Sequence, residues 1–222
     1  MICNDCNADA PKYFLGSGNN LVCQSCYCVD DPKTYEAEKP IIFLDVDGVL
    51  LDTSQAILKH IDYRYMGQAT EADIQHFDLI WSLGVPKADL DAMWRQVWST
   101  PLVPYDGAED FVKALRAEYN VAALSYRKRG NPRKAANRDF PQLNFHGIFL
   151  LQPGNGMSKG AIVDSLDGVC VVEDNIQNAI QIAERSDAQV LLLDRPWNQS
   201  LDLSKLYTRV FSYDDILDLL DV

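Results

Sequence analysis

Short apolar runs at residues 41–45, 121–125, 147–151, 169–173 and 190–194 are nearly unbroken. Runs of that length, rich in Val, Ile and Leu, predict strands covered on both faces rather than strands with one wet side. Between them, residues 108–119, 159–166 and 176–185 repeat apolar side chains at three- and four-residue spacing, the period of an amphipathic helix. Such alternation predicts an α/β fold built on a mainly parallel sheet. A last strand is expected at 208–211. Residues 53–98 contain no strand-like run and several helical stretches, broken near Gly84-Val85-Pro86. They predict a helical insertion after the first strand.

The chain divides by texture. Residues 1–28 are Cys-rich and poor in core-sized apolar side chains, and residues 29–40 are charged and end at Pro40, as a linker would. Residues 41–222 carry the α/β pattern, with the insertion at about 53–103. A length of 222 residues accommodates one ordinary domain and a small appendage. The formal net charge of −12 argues against a protein that coats nucleic acid through its overall field. No apolar stretch approaches the roughly 20 residues that span a bilayer. Met1-Ile2-Cys3-Asn4-Asp5-Cys6 lacks the basic start and apolar core of a signal peptide, so a cytoplasmic protein is expected.

Ligands of open α/β sheets bind beyond the carboxyl ends of the strands. The first predicted sheet strand ends at Asp45 and runs straight into Val46-Asp47-Gly48. Two carboxylates two residues apart, followed by a flexible Gly, can present one as nucleophile and the other as proton donor.

This Asp-x-Asp-Gly-Val segment resembles the first motif of the haloacid dehalogenase-like phosphatases, and three further motifs of that family follow in order. Ser125 closes the strand at 121–125, Lys159 stands at a helix start, and Glu173-Asp174 end the strand at 169–173. The resemblance runs from about residue 41 to the C-terminus. It implies a Rossmann-like parallel sheet with a small helical cap after the first strand, and a Mg²⁺-dependent phosphomonoesterase working through an aspartyl-phosphate. In that scheme Asp45 is the nucleophile and Asp47 the general acid and base. Ser125 holds a phosphate oxygen, and Lys159 pairs with Asp45 and the phosphate. Asp45, Asp174 and the backbone carbonyl of Asp47 hold Mg²⁺. Glu173 orients Asp174 or Lys159, or simply caps the strand. These residue types suit the chemistry, because phosphoryl transfer depends on positioning and on neutralising crowded anionic oxygens.

Of six cysteines, five precede position 29. Cys3-x-x-Cys6 and Cys23-x-x-Cys26 are sixteen residues apart, the spacing of a four-thiolate structural Zn²⁺ site, with Cys28 an alternative to Cys26. Short strands are expected near residues 12–15 and 21–22, and the segment resembles a zinc ribbon. Lys12 is its one basic residue, which points to protein contact or packing rather than phosphate-backbone binding. Cys170 lies inside an apolar run and reads as a core residue.

The substrate is less legible. The insertion carries Tyr63, Tyr65, Phe77, Trp81, Trp94 and Trp98, any of which could stack a base, Trp81 foremost, or fill the insertion's own core. Residues 47–52, 104–108 and 194–198 resemble segments of the deoxyribonucleotidase branch of the same superfamily, which implies a nucleoside monophosphate substrate. Arg127 and Lys128 open a basic run that extends to Arg138 and are placed to grip a substrate phosphate. A continuous basic groove there would instead imply a 3'-phosphatase of nucleic-acid ends. A binding or scaffolding protein with an inactive phosphatase fold is the remaining alternative.

Overall fold

The computed structural model describes residues 35–60, 70–76, 85–97, 99, 101–126, 142–151, 158–199 and 205–222, together with the backbone of 12–14 and 21–23. Strands β1 (Lys12–Phe14) and β2 (Leu21–Cys23) pair antiparallel, Lys12 opposite Cys23. Cys3, Cys6, Cys26, Cys28 and the side chain of Cys23 lie outside the described residues, and so does the expected Zn²⁺ site.

The main sheet contains β3 (Ile41–Leu44), β4 (Asn120–Tyr126), β5 (Gly147–Leu151), β6 (Cys170–Glu173), β7 (Gln189–Leu193) and β8 (Thr208–Val210). Their order is β5-β4-β3-β6-β7-β8, and every pairing is parallel. The order reverses at β3, which sits between β4 and β6. That is where open α/β sheets leave a crevice beyond their strand ends.

The unbroken apolar runs follow from two covered faces. Successive strand side chains point to opposite sides, so Ile42 and Leu44 join one core cluster and Phe43 the other. On the first face, Ile42, Leu44, Val121, Ala123, Val172 and Leu191 meet Phe111, Val112 and Leu115 of α3 (Ala108–Glu118) and Ile216 of α6 (Tyr213–Leu219). On the second, Phe43, Leu124, Val171 and Leu192 meet α4 (Lys159–Ser165) and α5 (Ile176–Ala183). Side chains cap three of these helices at their free N–H groups: Ser158 for α4, Asn175 for α5 and Ser212 for α6.

Between β3 and α3 lie α1 (Thr53–His60), a 3₁₀ turn (Glu71–Asp73) and α2 (Lys87–Val97), which starts directly after Pro86. α1 and α2 pack together, and Ile57, Leu90, Met93 and Val97 extend the first core cluster. The last strand stops at Val210, one residue short of the expected 208–211, and Phe211 is exposed. Helix α6 was not among the expected elements. Among the described residues, no helix is long and apolar enough to cross a membrane.

Candidate active site

The parallel register brings the candidate residues to one end of the sheet. Leu44 is level with Ala123 on one side and Val172 on the other, so Asp45, Ser125 and Glu173 follow at the strand ends within a residue or so of each other. The Asp45 N–H donates to the Val172 carbonyl at 2.9 Å, which continues the ladder one step beyond β3. Lys159 reaches the same point from the start of α4, and Asp174 follows β6 directly.

A lysine at a helix start is ordinarily solvated, but this one is 1% exposed. Its Nζ lies 2.8 Å from Asp45 Oδ2 and 2.6 Å from Glu173 Oε2. The other oxygen of each partner is also occupied. Asp45 Oδ1 accepts the Val46 N–H at 2.6 Å, and Glu173 Oε1 accepts the Asn175 N–H and the Asn178 side chain at 3.1 and 3.3 Å. Glu173 therefore orients Lys159, one of the roles the sequence left open. Burial alone would lower the Lys159 pKa, but the two carboxylates outweigh it and hold the group above its ordinary value.

Asp47 is held from two sides. Thr53 Oγ1 donates to Oδ1 at 2.8 Å and Ser125 Oγ to Oδ2 at 3.2 Å. Thr53 was missed in the sequence, although a hydroxyl opening the helix after the Asp-x-Asp segment was the available signal.

The loop between the two carboxylates and α1 is tightly wound. Gly48 has φ +80°, and a Cβ there would overlap Asp174 Oδ2 and meet Trp197 Cζ2 at 3.1 Å. Only a residue without a side chain lets the loop pass so close to Asp174.

Two separate segments converge on this loop. Leu51 bridges to Pro104, and the Tyr105 N–H donates to the Leu50 carbonyl. Arg195 Nε donates to the Gly48 carbonyl at 2.7 Å, and its guanidinium lies 4.4 Å from the Tyr105 ring centroid. Residues 47–52, 104–108 and 194–198, far apart in sequence, thus form one contact layer beside the site.

Asp45, Glu173 and Asp174 can each present a carboxylate oxygen within 4.8 Å of the others, all buried. Among the described residues, one ammonium, Lys159, faces these three carboxylates. Burial first, then the Glu173 carboxylate, push Asp45 well above the usual carboxylate range against the pull of Lys159. Burial and Asp45 push Asp174 up to about 7, opposed by the Trp197 N–H. Among the described residues, Asp174 Oδ1 is buried with no hydrogen-bond partner. Surplus negative charge, oxygen donors and an unsatisfied carboxylate oxygen fit a small hard divalent cation of the Mg²⁺ type, which Asp45 and Asp174 could hold.

Of the other sequence-predicted residues, Arg127, Lys128 and Trp81 lie outside the described residues, as do Tyr63, Tyr65, Phe77 and Trp98. Trp94 is partly buried and packs against the first core cluster.

No family model matches the chain. A protein of Halalkalibacterium halodurans named as a candidate nucleotidase, BH1399, is 24% identical over 164 residues, covering 70% of this chain and 80% of that one. A predicted phosphatase from Clostridium acetobutylicum superposes with a TM-score of 0.59 at 13% identity, covering 83% of this chain and 99% of that one. The haloacid dehalogenase-like hydrolase SP0104 from Streptococcus pneumoniae gives 0.57 at 16%, covering 83% and 100%. A predicted phosphoglycolate phosphatase from Haemophilus somnus gives 0.55 at 15%, covering 84% and 100%. The chain therefore shares the fold of the haloacid dehalogenase-like hydrolases.

Proposed function

We propose that this chain is a Mg²⁺-dependent phosphatase of nucleoside monophosphates, acting through an aspartyl-phosphate on Asp45. The observation that carries the chemistry is the buried Asp45–Lys159–Glu173–Asp174 cluster at the strand ends, with Asp47 braced beside it. Two things support the nucleotide substrate. The layer formed by residues 47–52, 104–108 and 194–198 contains the segments that resemble the deoxyribonucleotidase branch. The relative BH1399 is named as a nucleotidase candidate.

An Asp45 carboxylate oxygen attacks phosphorus, forming a P–O bond as the bond to the ester oxygen breaks. Asp47 gives its proton to that leaving oxygen, then takes one from the water that attacks the aspartyl-phosphate. The second attack breaks the P–O bond to Asp45 and releases phosphate. Lys159 stays charged and steadies Asp45 and the phosphate oxygens, while Ser125 directs its hydroxyl toward Asp47 or a phosphate oxygen. A bound Mg²⁺ would offset the charge crowded between Asp45, Asp174 and the phosphate. Arg127 and Lys128 are proposed to grip the phosphate, and Trp81 to stack the base. Residues 1–28 are proposed as a Zn²⁺-holding module on Cys3, Cys6, Cys23 and Cys26.

The test is phosphate release from a panel of ribo- and deoxynucleoside 5'- and 3'-monophosphates beside 3'-phosphorylated oligonucleotides. Turnover of monophosphates is expected. Activity confined to the oligonucleotides would replace this proposal with the nucleic-acid-end alternative, and none on either would remove the nucleotide substrate.

Cation binding should depend on pH with a definite sign. The ion takes the deprotonated form of Asp174, whose metal-free carboxyl titrates at about 7. Protons therefore compete below that value, and apparent Mg²⁺ affinity should fall by up to about tenfold per pH unit there. Calorimetric titrations at pH 6, 7 and 8 would check this, and a flat profile would contradict it.

A further inference from the structure

We propose that Trp197 and Asn198 are positioning residues that aim Asp174 Oδ1 at the cation. The inference rests on the Mg²⁺ reading above and adds the residues that would set that ligand's direction.

Asp174 has two oxygens in different circumstances. Trp197 Nε1 donates to Oδ2 at 2.8 Å, while Oδ1 is buried without a hydrogen-bond partner among the described residues. A carboxylate on a flexible χ2 would otherwise present either oxygen. The indole N–H occupies one, so the other is left for a ligand. Gly48 makes the arrangement feasible, since any side chain there would fall on Asp174 Oδ2 and crowd the indole ring.

Asn198 fixes the backbone on which Asp174 sits. Its Nδ2 donates to the Asp174 carbonyl at 2.9 Å and to the Leu193 carbonyl at 2.8 Å, tying the end of β6 to the end of β7. The amide cannot flip without loss, because its Oδ1 accepts from Arg209 Nη1 at 2.7 Å and the Arg195 N–H at 3.1 Å. Arg209 also pairs with Asp194 at 2.7 Å and donates to the Asn198 carbonyl at 2.9 Å. Asn198 is 1% exposed and Trp197 9%, so this bracing is shielded from competing water. Groups behind a ligand carboxylate set its direction, and their loss commonly costs 10- to 100-fold in metal affinity.

The experiment titrates the full chain with Mn²⁺, following free ion by electron paramagnetic resonance. Trp197→Phe keeps an aromatic ring and removes the donor. Asn198→Asp keeps the size and replaces the amide donor with an acceptor facing two carbonyls. Both are expected to weaken Mn²⁺ binding about 10- to 100-fold. A merely structural role would lower the metal-free unfolding midpoint and kcat, and leave the Mn²⁺ affinity in place. Affinity unchanged in both variants overturns the inference. Absence of Mn²⁺ binding by the wild type overturns it together with the Mg²⁺ reading. Tight wild-type and weak variant binding without phosphate release on any substrate would support the positioning role and overturn the proposed activity.

Discussion

Asp45→Asn is expected to lower Mg²⁺-dependent phosphate release on the order of 10⁴-fold or more, as removal of a catalytic nucleophile does. The amide cannot form the aspartyl-phosphate. The loss should occur without unfolding. In the metal-free protein Asp45 shares a buried space with Glu173, Asp174 and the Lys159 ammonium, and burial pushes its carboxyl upward. Removing that carboxylate relieves like-charge repulsion, so the unfolding midpoint without Mg²⁺ should hold or rise. Activity and unfolding measured on the same preparation would separate the two effects. Residual activity within about tenfold of wild type would rule out Asp45 as the nucleophile.

The second large effect is on stability. Lys159→Met should destabilise the metal-free protein by about 3–5 kcal/mol near pH 8, the usual result of leaving a buried charge without its partner. The side chain is 1% exposed and bridges Asp45 and Glu173 at 2.8 and 2.6 Å. Its removal takes away the pull that opposes the upward shift of the Asp45 carboxyl, which burial already holds above its ordinary value. The penalty is therefore full above that raised value and shrinks as pH falls and Asp45 takes up a proton. Urea unfolding at pH 5 and pH 8 would show this as a deficit larger at pH 8. Adding Glu173→Gln to Lys159→Met should recover part of the loss, because one of the stranded charges is then gone. An equal deficit at both pH values would mean that lost packing, not stranded charge, is the cause.

The strands were legible because each is covered on both faces, so burial requires apolar residues at every position. Ile42, Phe43 and Leu44 are all fully buried, two against one core and one against the other. Strand ends were legible for the converse reason, since Asp45 and Glu173 break apolar runs where the chain leaves the sheet. The short helix α6 and the one-residue overrun at Phe211 mark where a local pattern weakens at the sheet's edge.

What the sequence by itself determined is the α/β alternation and the order in which Asp45, Asp47, Ser125, Lys159 and Asp174 come to the strand ends. The alternation follows from periodicity, and the five residues from the resemblance of their segments to the four motifs of the phosphatase family. What only the tertiary structure decided is who holds whom. Glu173 takes Lys159, Thr53 and Ser125 share Asp47, and Trp197 takes one oxygen of Asp174. Hydrogen bonds are directional and short-ranged, so such pairings depend on strand register and loop path. Contacts such as Trp197 to Asp174, 23 positions apart, or Ser125 to Asp47, 78 apart, leave no trace in local spacing.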